Sequence, residues 1–212
     1  MKNTLLASLC VLALTGALPV RAQNSESLSI ASDQADSMNK LDQLVGRAQK
    51  RLEYIMTNLN ELTDGDDKNN SFDKFKDNLE DLQSIRDDIK DRVEKVRELQ
   101  GRRIAAWTKE VSGMNDKEMR KLTNDQIDKA KADFDGLDKQ MRDLGGDAND
   151  LTGLLLDLKK YFASSFSADS VNAAKERIEG AKKSAREMVS AADALRDTLY
   201  KNKKIVKGSA TQ

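Results

Sequence analysis

The sequence predicts an all-α fold, an elongated antiparallel four-helix bundle that packs as a coiled coil. Apolar residues recur at alternating three- and four-residue spacing in four long segments, which keeps them on one face of a helix. Strands do not produce that spacing, because their side chains alternate with a period of two. Pro19 is the only proline in the chain, so helices after it can extend well beyond the average length.

Residues 1–22 are predicted to be a signal peptide that is cleaved after Ala22. Lys2 precedes an apolar run over residues 5–18, and Val20 and Ala22 supply the β-branched and small side chains typical of a cleavage site. We therefore expect a periplasmic or secreted protein.

Two alternatives concern the same segment. A lipid anchor on Cys10 is disfavoured by the bulky Leu9 before it and by the short apolar run that precedes the cysteine. A retained membrane helix is disfavoured because Ser8, Thr15 and Gly16 interrupt the run. We expect membrane contact to be at most peripheral.

Processing would leave a mature chain without cysteine, proline or histidine, since residues 1–22 hold Cys10 and Pro19 and the chain has no histidine. Disulfides, histidine-based acid-base chemistry and the usual zinc, copper and haem ligands are thereby excluded. Removal of Lys2 and Arg21 changes the formal charge from zero to minus two, with 34 basic and 36 acidic side chains left. Such a chain is not expected to bind nucleic acid.

Residues 23–200 are predicted to form a single helical coiled-coil domain, followed by a basic, flexible tail over residues 201–212, KNKKIVKGSATQ. Charged residues make up 34% of the chain and are interspersed, which is typical of the solvated faces of long helices. The tail lysines are expected to keep the chain end in solvent; contact with anionic lipid heads is the alternative.

The first two helices are joined by the most polar stretch after the signal peptide. The first helix is predicted from Ser27 to Leu62, where the sequence TDGDDKNNS ends it. The second helix is predicted to have Ser71 as its N-cap and to end at about Val111.

The third helix is predicted to start at a capping box in which Asn115 is the cap and Glu118 lies three residues later. Gly145 and Gly146, followed by Asp147, resemble a helix stop and a new cap. The apolar seam nevertheless keeps its phase across the glycines, so we predict one continuous helix that is kinked or locally loosened there. A short loop capped by Asp147 is the alternative.

The fourth helix is predicted over Val171 to Leu199, after the serine-rich break YFASSFSADS. Four alanines in its seam require close approach by a neighbouring helix. Short connections between long amphipathic helices make neighbours antiparallel. The four seams are predicted to bury nine side chains: Leu52, Ile55, Leu79, Val93, Trp107, Phe134, Leu155, Ile178 and Leu195.

Two patterns resemble metal-binding or catalytic motifs. Residues 64–70 are rich in carboxylates and amides, as calcium loops are, but counted from Asp64 the glycine and glutamate that an EF-hand needs are replaced by Asn69 and Phe75. A polar turn is the favoured interpretation, and a weak, solvated cation site is the alternative. The pairs Ser37 with Lys40 and Ser71 with Lys74 have the Ser-x-x-Lys spacing of some acyl-enzymes. No companion motif accompanies either pair.

Trp107 is predicted to lie in the core, and Arg102 and Arg103 are predicted to lie on a solvated face. Carboxylates at helical spacing have lysine or arginine nearby and are interpreted as surface ion pairs. No catalytic, cofactor-binding or metal-binding residue is therefore predicted, no cofactor is implied, and enzymatic activity is not expected.

The segments AAWTKEV, NDKEMRKL, FDGLDKQM and LTGLLLDLKKYF resemble those of an uncharacterised family of secreted, all-helical bacterial proteins, classed as a domain of unknown function. The resemblance covers about residues 100–195. It implies an envelope protein whose long third helix runs through the glycines, and it supplies no catalytic residues.

The sequence therefore predicts an exported, non-enzymatic structural or interaction protein that acts as a scaffold or spacer in the cell envelope. A periplasmic holdase-type chaperone is the alternative, because cradling unfolded clients needs no active site. Protein partners are expected, without a sequence feature that identifies them, and the helical seams also suit self-association.

Overall fold

The computed structural model describes residues 26–208, which form five helices joined by short connections. The helices are α1 (Glu26–Asp64), α2 (Lys68–Ser112), α3 (Lys117–Ser164), α4 (Ala168–Ala173) and α5 (Lys175–Gly208). Residues 26–208 contain no strand, so the all-α prediction is confirmed. The expected signal peptide over residues 1–22 and the last four residues of the expected tail lie outside the described residues.

Polar contacts show that α1 and α2 are antiparallel. The backbone N–H of Ser27, at the start of α1, donates to Oε1 of Glu110 near the end of α2 at 3.0 Å. Further along α1, Arg51 forms an ion pair of 2.9 Å with Asp81 in the first half of α2. The α1–α2 hairpin is the most extensively packed pair of the bundle.

The other long helices complete a four-sided bundle. Nε of Arg196 in α5 donates to Oδ1 of Asp42 at 2.7 Å, and Nζ of Lys203 donates to Oδ1 of Asn39 at 3.2 Å, so α5 runs antiparallel to α1. The α3 helix packs against α2 and α5. The order around the bundle is therefore α1, α2, α3 and α5.

The apolar core follows the predicted seams and forms two main clusters along the bundle. Six of the nine side chains predicted to be buried are buried: Leu52, Ile55, Leu79, Leu155, Ile178 and Leu195. Val93, Trp107 and Phe134 are only half-buried, and for these three the prediction is wrong. Val93 and Phe134 belong to α2 and α3, which pack on each other less extensively than α1 and α2 do.

The glycine pair does not end a helix. Residues 117–164 form one helix through Gly145 and Gly146, and the predicted continuity is confirmed. Met141 before the glycines and Leu151 after them are both buried, so packing on both sides holds the glycines helical despite their low helix propensity.

Two predicted helix starts are displaced. Asp67, not Ser71, is the N-cap of α2, and its carboxylate accepts the N–H of the third residue after it. The Ser71 hydroxyl lies inside the helix and donates to Oε2 of Glu61 at 3.1 Å. In α3 the cap is Asp116 rather than Asn115. Carboxylates are as effective at capping as hydroxyls or amides, which is why neighbouring residues compete for this position.

The predicted fourth helix is divided and also longer than expected. Ser167 and Ser170 form a capping box that starts α4, and Ala174 separates α4 from α5. At the other end, α5 continues to Gly208, which contradicts a flexible tail beginning at residue 201. Asn202 and Val206 are buried, and Val206 packs in the apolar cluster around the first half of α1.

Candidate functional site: a cleft between α2 and α3

A cleft opens between α2 and α3 midway along the bundle. Two ion pairs bracket it: Nζ of Lys159 lies 2.7 Å from Oε1 of Glu80, and Nε of Arg97 lies 2.5 Å from Oδ1 of Asp138. Glu80 and Arg97 are separated by roughly 25 Å along α2, at 1.5 Å per residue. Over that interval no side-chain hydrogen bond or ion pair of the described region joins the two helices, so nothing polar closes the cleft.

The cleft leads into a cavity of about 710 Å³ that reaches all four long helices. This volume lies within the range of ligand pockets in proteins, roughly 300 to 1,000 Å³. The interior is mainly apolar, and its largest side chains are Leu41, Val45, Leu52, Leu82, Ile89, Val93, Met141, Leu144, Leu151, Met188 and Leu195.

The glycine pair forms part of the opening. Gly145 and Gly146 both line the cavity, and a Cβ added to either residue would meet no neighbouring atom within 4 Å. Ala148 follows one turn after Gly145. Side chains are therefore small or missing at the point where α3 would otherwise fill the gap toward α2.

Charged side chains line the mouth of the cavity, whereas none of the described residues places a charged side chain in the interior. The mouth includes Arg86, Asp87, Lys90, Glu94, Arg97 and Arg142. Asp138 accepts hydrogen bonds from Nε of Arg97 and from Nη1 of Arg142. One carboxylate is thus shared by two guanidinium groups at this end of the cleft.

The polar groups of the interior already have partners. Nε2 of Gln49 donates to Oδ1 of Asp193 at 2.8 Å and to the carbonyl oxygen of Val189 at 3.1 Å. The Thr152 hydroxyl donates to the carbonyl oxygen of Ala148 at 2.7 Å. The cavity wall therefore offers little hydrogen bonding to an occupant, and it is suited to contact with apolar groups.

A second feature that the sequence did not predict is a buried polar layer between α1 and α2. Nε2 of Gln34 donates to Oε1 of Gln100 at 2.7 Å, and Nη1 of Arg103 donates to Oε1 of Gln34 at 3.4 Å. Arg103 is only 3% exposed, so the expected solvated position is wrong for this residue. Burial lowers the pKa of its guanidinium from the ordinary value, and the guanidinium lies 5.3 Å from the ring centroid of Trp107.

The Ser-x-x-Lys pairs are not organised as catalytic pairs. Lys40 and Lys74 are exposed, whereas Ser37 and Ser71 are buried. The Ser71 hydroxyl donates a hydrogen bond to Glu61, and the Ser37 hydroxyl has no hydrogen-bond partner within residues 26–208.

The acidic turn between α1 and α2 holds a lysine ammonium at the end of α1. Nζ of Lys68 donates to the carbonyl oxygens of Leu62 and Thr63, each at 2.9 Å, and so occupies the negative end of the helix. Asp67 serves as the cap of α2. Residues 26–208 contain no group of three or more acidic side chains arranged to hold a metal ion.

Within residues 26–208, no helix is both long enough and apolar enough to cross a membrane. No curated protein and no solved structure matches the chain. A family model described as "Protein of unknown function (DUF2959)" matches residues 29–197. This match runs from the start of α1 into α5. It therefore includes most of α1 and all of α2, which lie largely outside the resemblance over residues 100–195. The chain therefore belongs to the DUF2959 family.

Proposed function

We propose that this chain is an exported, non-enzymatic scaffold or interaction protein of the cell envelope. Its longest helices have 39, 45 and 48 residues, and the last of these spans roughly 70 Å at 1.5 Å per residue. The apolar seams of the helices face one another, and many surface charges are paired. A rod of this kind is suited to holding partners at a fixed separation.

The observation that carries the proposal is an exposed apolar pair at one end of the rod. Met119 and Leu122 lie one turn apart in α3 and are 53% and 57% exposed. The α5 helix does not cover this end, because Lys203 near its end already contacts Asn39, more than three turns into α1. Single exposed apolar side chains are common on protein surfaces, but adjacent ones form a patch of the kind found at contact sites, where methionine is enriched.

Site-specific crosslinking in the native envelope tests this function. A photo-crosslinking residue at Leu122 is expected to give one discrete crosslinked product. The same residue at exposed Asp157 of α3, roughly 50 Å away along the helix, is expected to give none. Equal products at the two positions, or none at Leu122, would contradict a partner at this end. Export is tested separately, by the loss of residues 1–22 from the recovered chain.

A holdase-type chaperone is the second candidate, and the apolar cleft is the observation that favours it. We expect the purified chain not to suppress aggregation of an unfolded substrate at an equimolar ratio, because most of its apolar surface is buried between its own helices. Suppression by this chain but not by a control protein of equal charge would favour the chaperone.

A further inference from the structure

We propose that the cleft between α2 and α3 binds one fatty acid, with the acyl chain inside the bundle and the carboxylate at Arg97 and Arg142. This site is independent of the scaffold function and of the exposed pair at Met119 and Leu122. Three properties of the cleft lead to this ligand: its apolar interior, its length and the charges at its mouth.

The interior favours an apolar occupant over water. A cavity of about 710 Å³ has the volume of roughly two dozen water molecules at about 30 Å³ each. Each buried water needs two to four polar partners, but Gln49 and Thr152 of the wall already bond to protein groups. Methylene groups need no such partners, and each one that leaves water favours binding.

The shape favours a single extended chain. The cleft runs along the helices between the pairs Glu80–Lys159 and Arg97–Asp138, so it is elongated. Gly145, with no side chain, lies between these ends and leaves space next to Leu144 and Ala148. A linear acyl chain fits such a channel better than a compact ring system of equal volume.

The charges at the mouth favour an anionic head group. Arg97 and Arg142 each give one N–H group to Asp138, and the remaining N–H groups of both make no hydrogen bond within residues 26–208. Their side chains are 39% and 60% exposed, so a ligand can reach them. Guanidinium groups bind carboxylates through paired hydrogen bonds.

The balance of charge agrees with that head group. The charged residues of the mouth are four cations, Arg86, Lys90, Arg97 and Arg142, and two carboxylates, Asp87 and Glu94. Asp138 is paired with Arg97, and with its charge counted one positive charge remains in excess. A carboxylate ligand would neutralise this excess, whereas a neutral amphiphile would not.

Titration calorimetry of the purified chain with dodecanoate tests the proposal. We expect saturable binding of one dodecanoate per chain, and weaker binding of dodecyl maltoside, which has the same chain length and a neutral head. Gly145→Leu should weaken dodecanoate binding at least about tenfold, because its side chain would occupy the cleft. Gly136→Leu is the matched control, since Gly136 is also a helical glycine of α3 with open space around it but does not line the cavity.

The head-group assignment has its own test. The double variant Arg97→Gln with Arg142→Gln should weaken dodecanoate binding about tenfold and leave dodecyl maltoside binding unchanged. Absence of dodecanoate binding, or equal binding by Gly145→Leu and the wild-type chain, would overturn the site. Equal affinity for the two amphiphiles, or tighter binding of a lysophospholipid with the same acyl chain, would overturn the fatty-acid head group. Circular dichroism of each variant establishes that its fold is retained.

Discussion

Nζ of Lys159 donates a hydrogen bond of 2.7 Å to Oε1 of Glu80, and this ion pair joins α3 to α2 at one end of the cleft. The hydrogen bond, with the charge of the lysine, lowers the pKa of the Glu80 carboxyl below its ordinary value of 4.5. A group whose pKa is lower in the folded state stabilises the fold above its unfolded pKa. That contribution is lost as the pH falls through the folded value.

A double-mutant cycle with Glu80→Gln and Lys159→Met is therefore expected to give a small favourable coupling at pH 7. The coupling should decrease as the pH falls below 4.5 and vanish once Glu80 is protonated in the folded chain. Urea unfolding of the four proteins at each pH measures it. A coupling that persists in acid would mean that packing of the two side chains, rather than charge, joins the helices.

The glycines of α3 provide a test of backbone entropy. Replacing Gly145 and Gly146 with alanine should raise the free energy of unfolding by about 1 kcal/mol for each residue, because both are helical and an added Cβ meets no atom within 4 Å. Thermal unfolding measures the change. Gly65→Ala is the contrasting variant and should destabilise the chain, since its Cβ would lie 2.5 Å from the carbonyl oxygen of Glu61. A lower melting temperature for the double alanine variant would contradict the continuous helix.

The aromatic cluster at the loop end of the bundle should contribute strongly to stability. The Phe162 side chain is fully buried and its ring packs edge-on against those of Phe72 and Phe166, with centroids 5.8 and 5.9 Å apart. We expect Phe162→Ala to cost about 3 to 5 kcal/mol of unfolding free energy. Phe134→Ala, at a half-buried position beside the cleft end, should cost clearly less. Equal losses in urea unfolding would contradict this difference in packing.

The burial of Arg103 can be tested by the fluorescence of Trp107, the only tryptophan of the chain. Arg103→Met removes a guanidinium that lies 5.3 Å from the Trp107 ring centroid, so the fluorescence of Trp107 should change. It also leaves the buried amide oxygen of Gln34 without its donor, which should cost about 1 to 3 kcal/mol. Arg102→Met is the matched control, because Arg102 is exposed, and it should change neither quantity. A response to Arg102→Met instead would contradict the burial of Arg103.

Much of the fold could be predicted because the phase of the apolar residues can be read from each helical segment by itself. In each helix the spacing of the apolar residues predicts which face is buried. Leu52 of α1, Leu79 of α2 and Leu155 of α3 lie on those faces, and all three are buried. The same phase, carried across Gly145 and Gly146, predicted the continuity of α3. These inferences need no knowledge of where the neighbouring helix lies.

The cleft and the buried polar layer could not be predicted in the same way, because each depends on the separation between helices. Val93 and Phe134 have the phase of core residues, but both are only half-buried, because α2 and α3 pack on each other less extensively than α1 and α2 do. Arg103 has the charge of a surface residue, and it is buried because Gln34 of another helix supplies an acceptor. Phase gives the direction in which a side chain points, whereas its burial depends on the distance to the next helix.

The position at which α5 ends relative to α3 has a consequence for local unfolding. Lys203 contacts Asn39, so the first turns of α3 extend beyond α5, and Ile127 is the first buried residue of α3. Amide protons before Ile127 can then exchange with solvent through small local openings, whereas those near Leu155 require the four-helix core to open. Native-state hydrogen exchange should show protection that increases along α3. The start of this helix would then have a low free energy of opening, and its end would belong to the most cooperative part of the protein.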